Sequence, residues 1–397
     1  MTVLYGLFAP ALALCLYTYL GYPAILKVLS MIRSRRSPHV PADRSMPPIS
    51  IVLPVYNEAT VIAATIERLL TIDYPADRRQ ILVVSDASTD GTDAIVAGFA
   101  NRGVELLRLP RRQGKTAAEN AARRHLTGEV IVNTDASVDI DPAAIKHLIA
   151  EFNDPSVGVA SAHDVSVSSL DAQANSGEGA YVGLEMWIRG LETAVSGIVG
   201  ASGCLYAIRS ELHMHPVPDG LSRDFAAALT AREHGRRAVS VPQALCYVPR
   251  SASLRQEYRR KVRTMTRGLA TLMHKRALLN PFRYGVFAWM LFSHKVCRWL
   301  VPWALLGMLA TMGALAVTSV WARLLLAASA IMGTPGLIAW VRPGGASMPR
   351  LLALPGYVLA GNMAALQAWM RVFTGRHAPV WEPTRRDARV SEIAPGH

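Results

Sequence analysis

Cysteine is scarce and scattered: Cys15, Cys204, Cys246 and Cys297 are the four in the chain, and no two form a C-x-x-C pair. Cys15 and Cys297 lie in apolar blocks, so neither a disulfide framework nor a zinc centre is expected. Charge is scarce too, at 18% of residues against 51% hydrophobic, an apolar balance for a soluble enzyme. Acids number 29 against 42 Lys and Arg, leaving a formal net charge of +13. No aromatic-interleaved basic motif accompanies that excess, which argues against nucleic acid as a partner. Basic residues bordering apolar blocks point instead to anionic lipid headgroups. The apolar segments also lack interior acids and a paired repeat, which speaks against a transporter. At 397 residues the chain suffices for one large domain with a proper core plus an appendage.

What is present is unevenly distributed. Between Val3 and Ile32 the only charge is Lys27, and the stretch is long enough to cross a hydrocarbon layer of about 30 Å. A signal peptide would be shorter with its basic residues first; here "RSRR", Arg33 to Arg36, follows. The positive-inside tendency puts residue 33 onward in the cytoplasm and the N-terminus outside. Residues 33–47, with "SPHVPADRSMPP", read as a basic, proline-rich linker. A second apolar region runs from Tyr284 to Phe373, with spanning segments Trp299 to Val320, Leu324 to Val341 and Leu351 to Phe373. Residues 273–298, containing "FRYGVFAWMLFSHKVCRW", are interrupted by His294, Lys295 and Arg298 and suit interfacial helices. Three crossings within 299–373 would export the basic tail, 374–397, against the positive-inside rule. Either the last segment is interfacial or another helix crosses.

Between these regions, residues 48–272 have an α/β texture. "ISIVLPVY", "QILVVSD" and "EVIVNTD" are apolar runs ending in polar loops, and helical patterns follow them. That alternation implies a mostly parallel sheet with helices on both faces, whose ligand groups sit at the carboxyl ends of the strands. Those ends offer Tyr56, Asn57 and Glu58, then Asp86, then Asp135. Taken singly, each has an ordinary reading: Asn57 as a helix cap, "SDASTDGT" as a turn, "RQGKTAAENAA" as a loop opening a helix. The last lacks the full G-x-x-x-x-G-K-[ST] phosphate pattern.

In their order, the motifs resemble the family 2 inverting glycosyltransferases with the GT-A fold. More closely, the chain resembles the membrane-bound bacterial branch related to cellulose, hyaluronan and poly-N-acetylglucosamine synthases. The resemblance covers essentially the full length: "YTYLGYP", "SIVLPVYNE", "VVSDASTDGT", "RQGKTAAENAA", "GASGCLYAIR", "EYRRKVRTMTRGL", "SHKVCRWLVP" and "WEPTRR". It implies a Rossmann-like GT-A catalytic domain on the cytoplasmic side of the inner membrane, flanked by transmembrane and interfacial helices. The implied reaction moves a sugar from a nucleotide-sugar donor, UDP-linked, to a polysaccharide or lipid-linked acceptor, with membrane lipids and polysaccharide-export proteins as partners. A polyprenyl-phosphate glycosyltransferase and an inactive nucleotide-binding scaffold are the alternatives.

Residue by residue, the resemblance assigns Tyr56, Glu58 and Asp86 to the nucleoside, Asp86 accepting a hydrogen bond from the base. It places Lys115 close to the nucleotide. Asp135 matches the first acid of D-x-D, which binds Mg²⁺ or Mn²⁺ beside the pyrophosphate. Asp224, in "LSRDF", matches the catalytic base, and its ordinary reading is a helix N-cap. Arg260 and Arg263, in "RKVR", stand where the Q-x-x-R-W motif contacts pyrophosphate and acceptor. The chemistry wants these types: cations neutralise a departing diphosphate, and a carboxylate takes the proton of the attacking hydroxyl.

Three positions depart from the family's pattern. Ser137 replaces the second D-x-D acid; Asp139, in "NTDASVD", is expected beyond the turn as a cap or surface acid. Arg223 precedes Asp224 where an acid is common, and a cation facing Asp224 would weaken it as a base. Thr264 stands in place of the tryptophan, which puts long-chain processive synthesis in doubt. From Arg250 to Arg276 nine Lys or Arg accompany the single acid Glu257, as in a basic amphipathic helix on a leaflet. Glu185, Arg189 and Glu192 have the spacing of ion pairs on one helix face.

Overall fold

The run "ISIVLPV" folds as β1 (Ile49–Val55) with every residue buried. A strand apolar on both faces belongs in the middle of a sheet covered on both sides. The computed structural model describes residues 2–33, 46–167, 176–249, 254–341 and 350–375. Most of the linker expected at 33–47, the start of the basic run at 250–253 and the closing "WEPTRR" lie outside the described residues.

The other strands are β2 (Arg79–Ser85), β3 (Val104–Arg108), β4 (Val130–Thr134), β5 (Asp139–Ile140), β6 (Val157–Val167), β7 (Leu205–Arg209) and β8 (Arg237–Pro249). They form one sheet in the order β3-β2-β1-β4-β7-β6-β8-β5. The β3-β2-β1-β4 half is wholly parallel. Beyond it β7 runs antiparallel to both β4 and β6, while β6 pairs parallel with β8. The sheet is therefore parallel where the strand-end acids lie and mixed elsewhere.

Two cores cover the sheet. On one face Ile51 and Leu53 pack with Ile62 and Ile66 of helix Ile62–Leu70 and with Ile145 and Leu148 of helix Ala144–Ala150. On the other, Val52, Leu82 and Val84 meet alanines: Ala118 and Ala122 of helix Lys115–Ala122, and Ala227, Ala228 and Ala231 of helix Arg223–Glu233. Side chains that small let both helices lie close on the strands, and overpacking there would cost about 1–3 kcal/mol. Their N-termini consequently converge beside β4 and carry Lys115 and Asp224 together.

A third core joins the domain to the apolar helices. Tyr22 and Leu26 from the N-terminal helical segment pack with Ile188 and Leu191 of helix Ser176–Val195. Leu269 of helix Leu254–His274, then Met290, Leu291 and Trp299, complete it. Among the described residues, three helices are long and apolar enough to cross a membrane: Gly6–Arg33, Val286–Leu315 and Val320–Val341. The second runs without a break through Arg298 and Trp299, where the sequence suggested that an interfacial segment ends and a span begins. The interrupting charges turn inward to partners: His294 Nδ1 lies 2.6 Å from Glu192 Oε1, and Arg298 Nη1 donates to Glu185 Oε2 at 2.7 Å. Tyr22 also donates its hydroxyl proton to Glu192, at 2.5 Å. A linear reading counts such charges as hydrophilic; paired, they are interior. Helix Arg350–Phe373 is not among the three, and Tyr258 of helix Leu254–His274 donates a hydrogen bond to its Gln367 at 2.7 Å.

Candidate active site

The ends of β1 and β2 are tied to each other before they meet anything else. Asn57 Oδ1 accepts the Thr89 N–H at 2.8 Å, and Asp90 accepts the N–H groups of Ala59 and Thr92 at 3.0 and 3.1 Å. Asn57 thus links the two loops; it does not cap a helix starting at Glu58, because that helix begins at Ile62. Asn57 (φ 53°) and Ala87 (φ 59°) both adopt left-handed backbone without being glycine. Such conformations persist only where surrounding structure enforces them, and they concentrate at functional loops.

Asp86 is 1% exposed and both carboxylate oxygens are engaged: Oδ1 accepts the Gln113 N–H and Oδ2 the Gly114 N–H, each at 2.7 Å. Two charge-assisted bonds to consecutive amides make it the anchor of the loop before Lys115. Gly114 has φ 96°, a conformation that favours glycine, and it turns the chain directly into the Lys115 helix. Beside this anchor the Arg112 guanidinium stacks 3.8 Å over the Tyr56 ring. The Glu58 N–H donates to Thr92 Oγ1 at 2.9 Å, holding that residue at the same edge.

A cavity of about 400 Å³ opens next to these loops. Lys115, Asp135, Ser137, Asp224, Arg260 and Arg263 all line it. Tyr56, Glu58 and Asp86 are at the same sheet edge but do not line it. Lys115 Nζ donates to Asp135 Oδ1 at 2.5 Å and to the Gly203 carbonyl at 3.1 Å. Burial works against the Lys115 charge, but Asp135 and Glu119 overcome it and hold the ammonium above its ordinary pKa. Asp139 is outside this group, paired with Arg68 at 3.2 Å.

Asp224 sits in the first turn of its helix, a placement the helix dipole favours. It is not the N-cap, which is Ser222; that hydroxyl donates to Asp224 Oδ1 at 2.5 Å. Gly203 forms the opposite wall, where an added Cβ would stand 3.0 Å from Asp224 Oδ2. Arg223 does not face Asp224. Neighbours on a helix point about 100° apart, and Arg223 turns inward, donating to Asn120 Oδ1 at 2.6 Å and the His213 carbonyl at 2.9 Å. It is 5% exposed, and its Nε lies 3.9 Å from Glu119. Arg223→Ala should therefore destabilise the protein, by about 1–3 kcal/mol for each buried acceptor, Asn120 Oδ1 and the His213 carbonyl, left without its donor. A thermal melt checks this; an unchanged melt would show that Arg223 is not structural.

Several site groups carry no motif. Arg267 donates to Thr116 Oγ1 and the Leu221 carbonyl, both at 2.6 Å, and so fixes the loop leading to Asp224 against the Lys115 helix. Arg260 grips the fully buried Glu257 with two bonds of 2.8 Å. The basic helix is tied to the globular domain through Arg267 and buries Val262, Leu269 and Leu272, while Arg255 and Arg259 stay exposed. Glu185, Arg189 and Lys295 line the end of the cavity towards the apolar helices. Burial would raise the Glu185 carboxyl, but His294 and Arg298 hold it well below the usual range. Arg189 and Glu185 do pair, at 3.5 Å, whereas Glu192 serves His294 and Tyr22.

Residues 50–184 match the family model described as Glycosyl transferase family 2. A beta-monoglucosyldiacylglycerol synthase of Nostoc sp. is 28% identical over 159 residues, covering 39% of this chain and 34% of that protein. A poly-beta-1,6-N-acetyl-D-glucosamine synthase of Staphylococcus epidermidis is 30% identical over 112 residues, 28% of this chain and 27% of that protein. The chain thus matches about a third or less of the length of these curated relatives. Among solved structures, the mannosyltransferase PcManGT from Pyrobaculum calidifontis, in complex with GDP-Man and Mn²⁺, superposes with a TM-score of 0.72. That alignment covers 94% of this chain and 100% of the other at 23% identity, and it establishes a shared GT-A fold.

Proposed function

Taking as premise that the chain carries a Glycosyl transferase family 2 domain on a GT-A fold, we propose that it is an inverting glycosyltransferase. It moves a sugar from a nucleotide-sugar donor to a polysaccharide or lipid-linked acceptor at the inner membrane. The observation that carries this reading is the arrangement of Asp224 and the Lys115–Asp135 pair on one cavity.

Asp224 takes the proton of the acceptor hydroxyl as that oxygen attacks the anomeric carbon. Ser222 fixes one carboxylate oxygen, and Gly203 leaves the space in front of the other. Arg260 and Arg263 line the same cavity, and their charge would offset that of a departing diphosphate. Tyr56, Glu58 and Asp86 bound the neighbouring loops, so the nucleoside lies over β1 and β2. Asp86 serves it by fixing the Gln113–Gly114 loop.

The residues fit a divalent cation of the hard kind. Among the described residues no group of three or more His, Cys, Asp or Glu forms a cage. Asp135, with Ser137 beside it, would hold Mg²⁺ or Mn²⁺ by one carboxylate and leave positions for diphosphate oxygens and water. When bound, the ion neutralises charge on the leaving diphosphate.

Two apolar crossings after the domain would return the chain to the domain's own side, and the basic residues after the first apolar helix support a cytoplasmic domain. Lys295, Trp299 and Tyr357 on the apolar helices line the cavity, which favours a lipid-linked acceptor that approaches from the membrane. The test is a screen of UDP- and GDP-sugars with detergent-purified protein, with and without Mn²⁺, against membrane lipid extracts. The expected result is a metal-dependent labelled product that partitions into organic solvent. Absence of transfer from every donor would overturn the assignment.

A further inference from the structure

The cavity wall holds a carboxylate that the chemistry above does not use. Glu119 is 0% exposed, and neither of its oxygens has a hydrogen-bond partner. Buried acids without donors are rare, because the charge loses water and gains nothing. The nearest cation, Arg223, keeps its Nε 3.9 Å away and spends its hydrogen bonds on Asn120 and the His213 carbonyl. Glu119 is four residues after Lys115 on one short helix, so the two side chains share a face. Lys before Glu is the weaker order for stabilising a helix, so helix support does not explain the pair.

Lys115 meanwhile sits on Asp135 at 2.5 Å. An ammonium and a divalent cation cannot both occupy that contact without placing like charges a few ångströms apart in a partly buried site. We propose that Glu119 is the carboxylate that receives the Lys115 ammonium when a divalent cation takes Asp135. The proposal rests on the reading of Asp135 as the metal carboxylate. Lys115 has four methylenes and pivots from a fixed helix position, so either acid is within its sweep. Glu119 is then a positioning residue: it makes Asp135 available by giving its present partner somewhere else to go.

The experiment is titration of Mn²⁺, followed by loss of the free-ion EPR signal, into detergent-purified full chain with saturating UDP and, separately, GDP. Glu119→Gln should weaken Mn²⁺ about tenfold, a coupling usual for charges in contact. In a Lys115→Ala background the same change should have no effect, since no ammonium then competes for Asp135. Equal weakening in both backgrounds would mean Glu119 acts only structurally, and unchanged affinity in Glu119→Gln would also overturn the relay while leaving the metal site intact. If the parent chain shows no nucleotide-dependent Mn²⁺ binding, the metal reading falls and the relay with it. Thermal melts report folding; should Glu119→Gln not fold, Glu119→Asp replaces it, with its displaced carboxylate expected to weaken Mn²⁺ only when Lys115 is present.

Discussion

Asp224→Asn should lower sugar transfer by roughly the 10²–10⁴-fold typical of general-base loss, with donor affinity nearly unchanged. The amide keeps the size of the carboxylate and can still accept the Ser222 hydroxyl bond seen at 2.5 Å. The Gly203 wall stays clear, so the cavity should keep its shape. Only the capacity to take up a proton at neutral pH is removed. Because Ser222 is the N-cap, the substitution also leaves the helix start intact. Steady-state transfer with labelled donor, beside equilibrium binding of the nucleotide, separates the two quantities. Full transfer activity in Asp224→Asn would end the assignment.

Asp135→Ala should abolish metal-dependent nucleotide binding. The substitution removes the carboxylate assigned to the cation and strips Lys115 of its nearest partner. Ser137→Asp should preserve or tighten metal binding, since Ser137 faces the same cavity and a second carboxylate there completes the acid pair. Asp139→Ala is the control: its side chain is committed to Arg68 at 3.2 Å, so nucleotide binding should survive. The readout is calorimetric titration of nucleotide with and without Mn²⁺. Asp139→Ala as damaging as Asp135→Ala would mean that the wrong residue carries the ion.

Much of this arrangement was legible in the chain. β1, β2 and β4 announce themselves as β-branched runs, and a parallel sheet must deliver Tyr56, Asp86 and Asp135 to one edge. What was hidden depends on direction. Nothing local says that Arg223 turns toward Glu119 and away from Asp224, because their different directions follow from helix phase and from what the helix packs on. The use of Asp86 as a loop anchor needs Gln113 and Gly114 to come back across β2, a contact 27 residues away in sequence. Glu119 belongs to no catalytic motif, and nothing local says that the fold buries it completely. His294 and Arg298 looked like breaks in a hydrophobic stretch because their partners, Glu192 and Glu185, lie about a hundred residues earlier.

That last separation bears on how the protein is made. Glu185 and Glu192 leave the ribosome well before His294, Lys295 and Arg298. Offered to hydrocarbon alone, a Lys or Arg at mid-helix costs about 2.5–3.5 kcal/mol on insertion scales, so helix Val286–Leu315 is a poor client for the insertion machinery by itself. In the folded chain that cost is offset, because helix Ser176–Val195 supplies Glu185 to Arg298 and Glu192 to Tyr22 and His294. The consequence is an order of synthesis in which the acids of helix Ser176–Val195 are made before the cations that they receive.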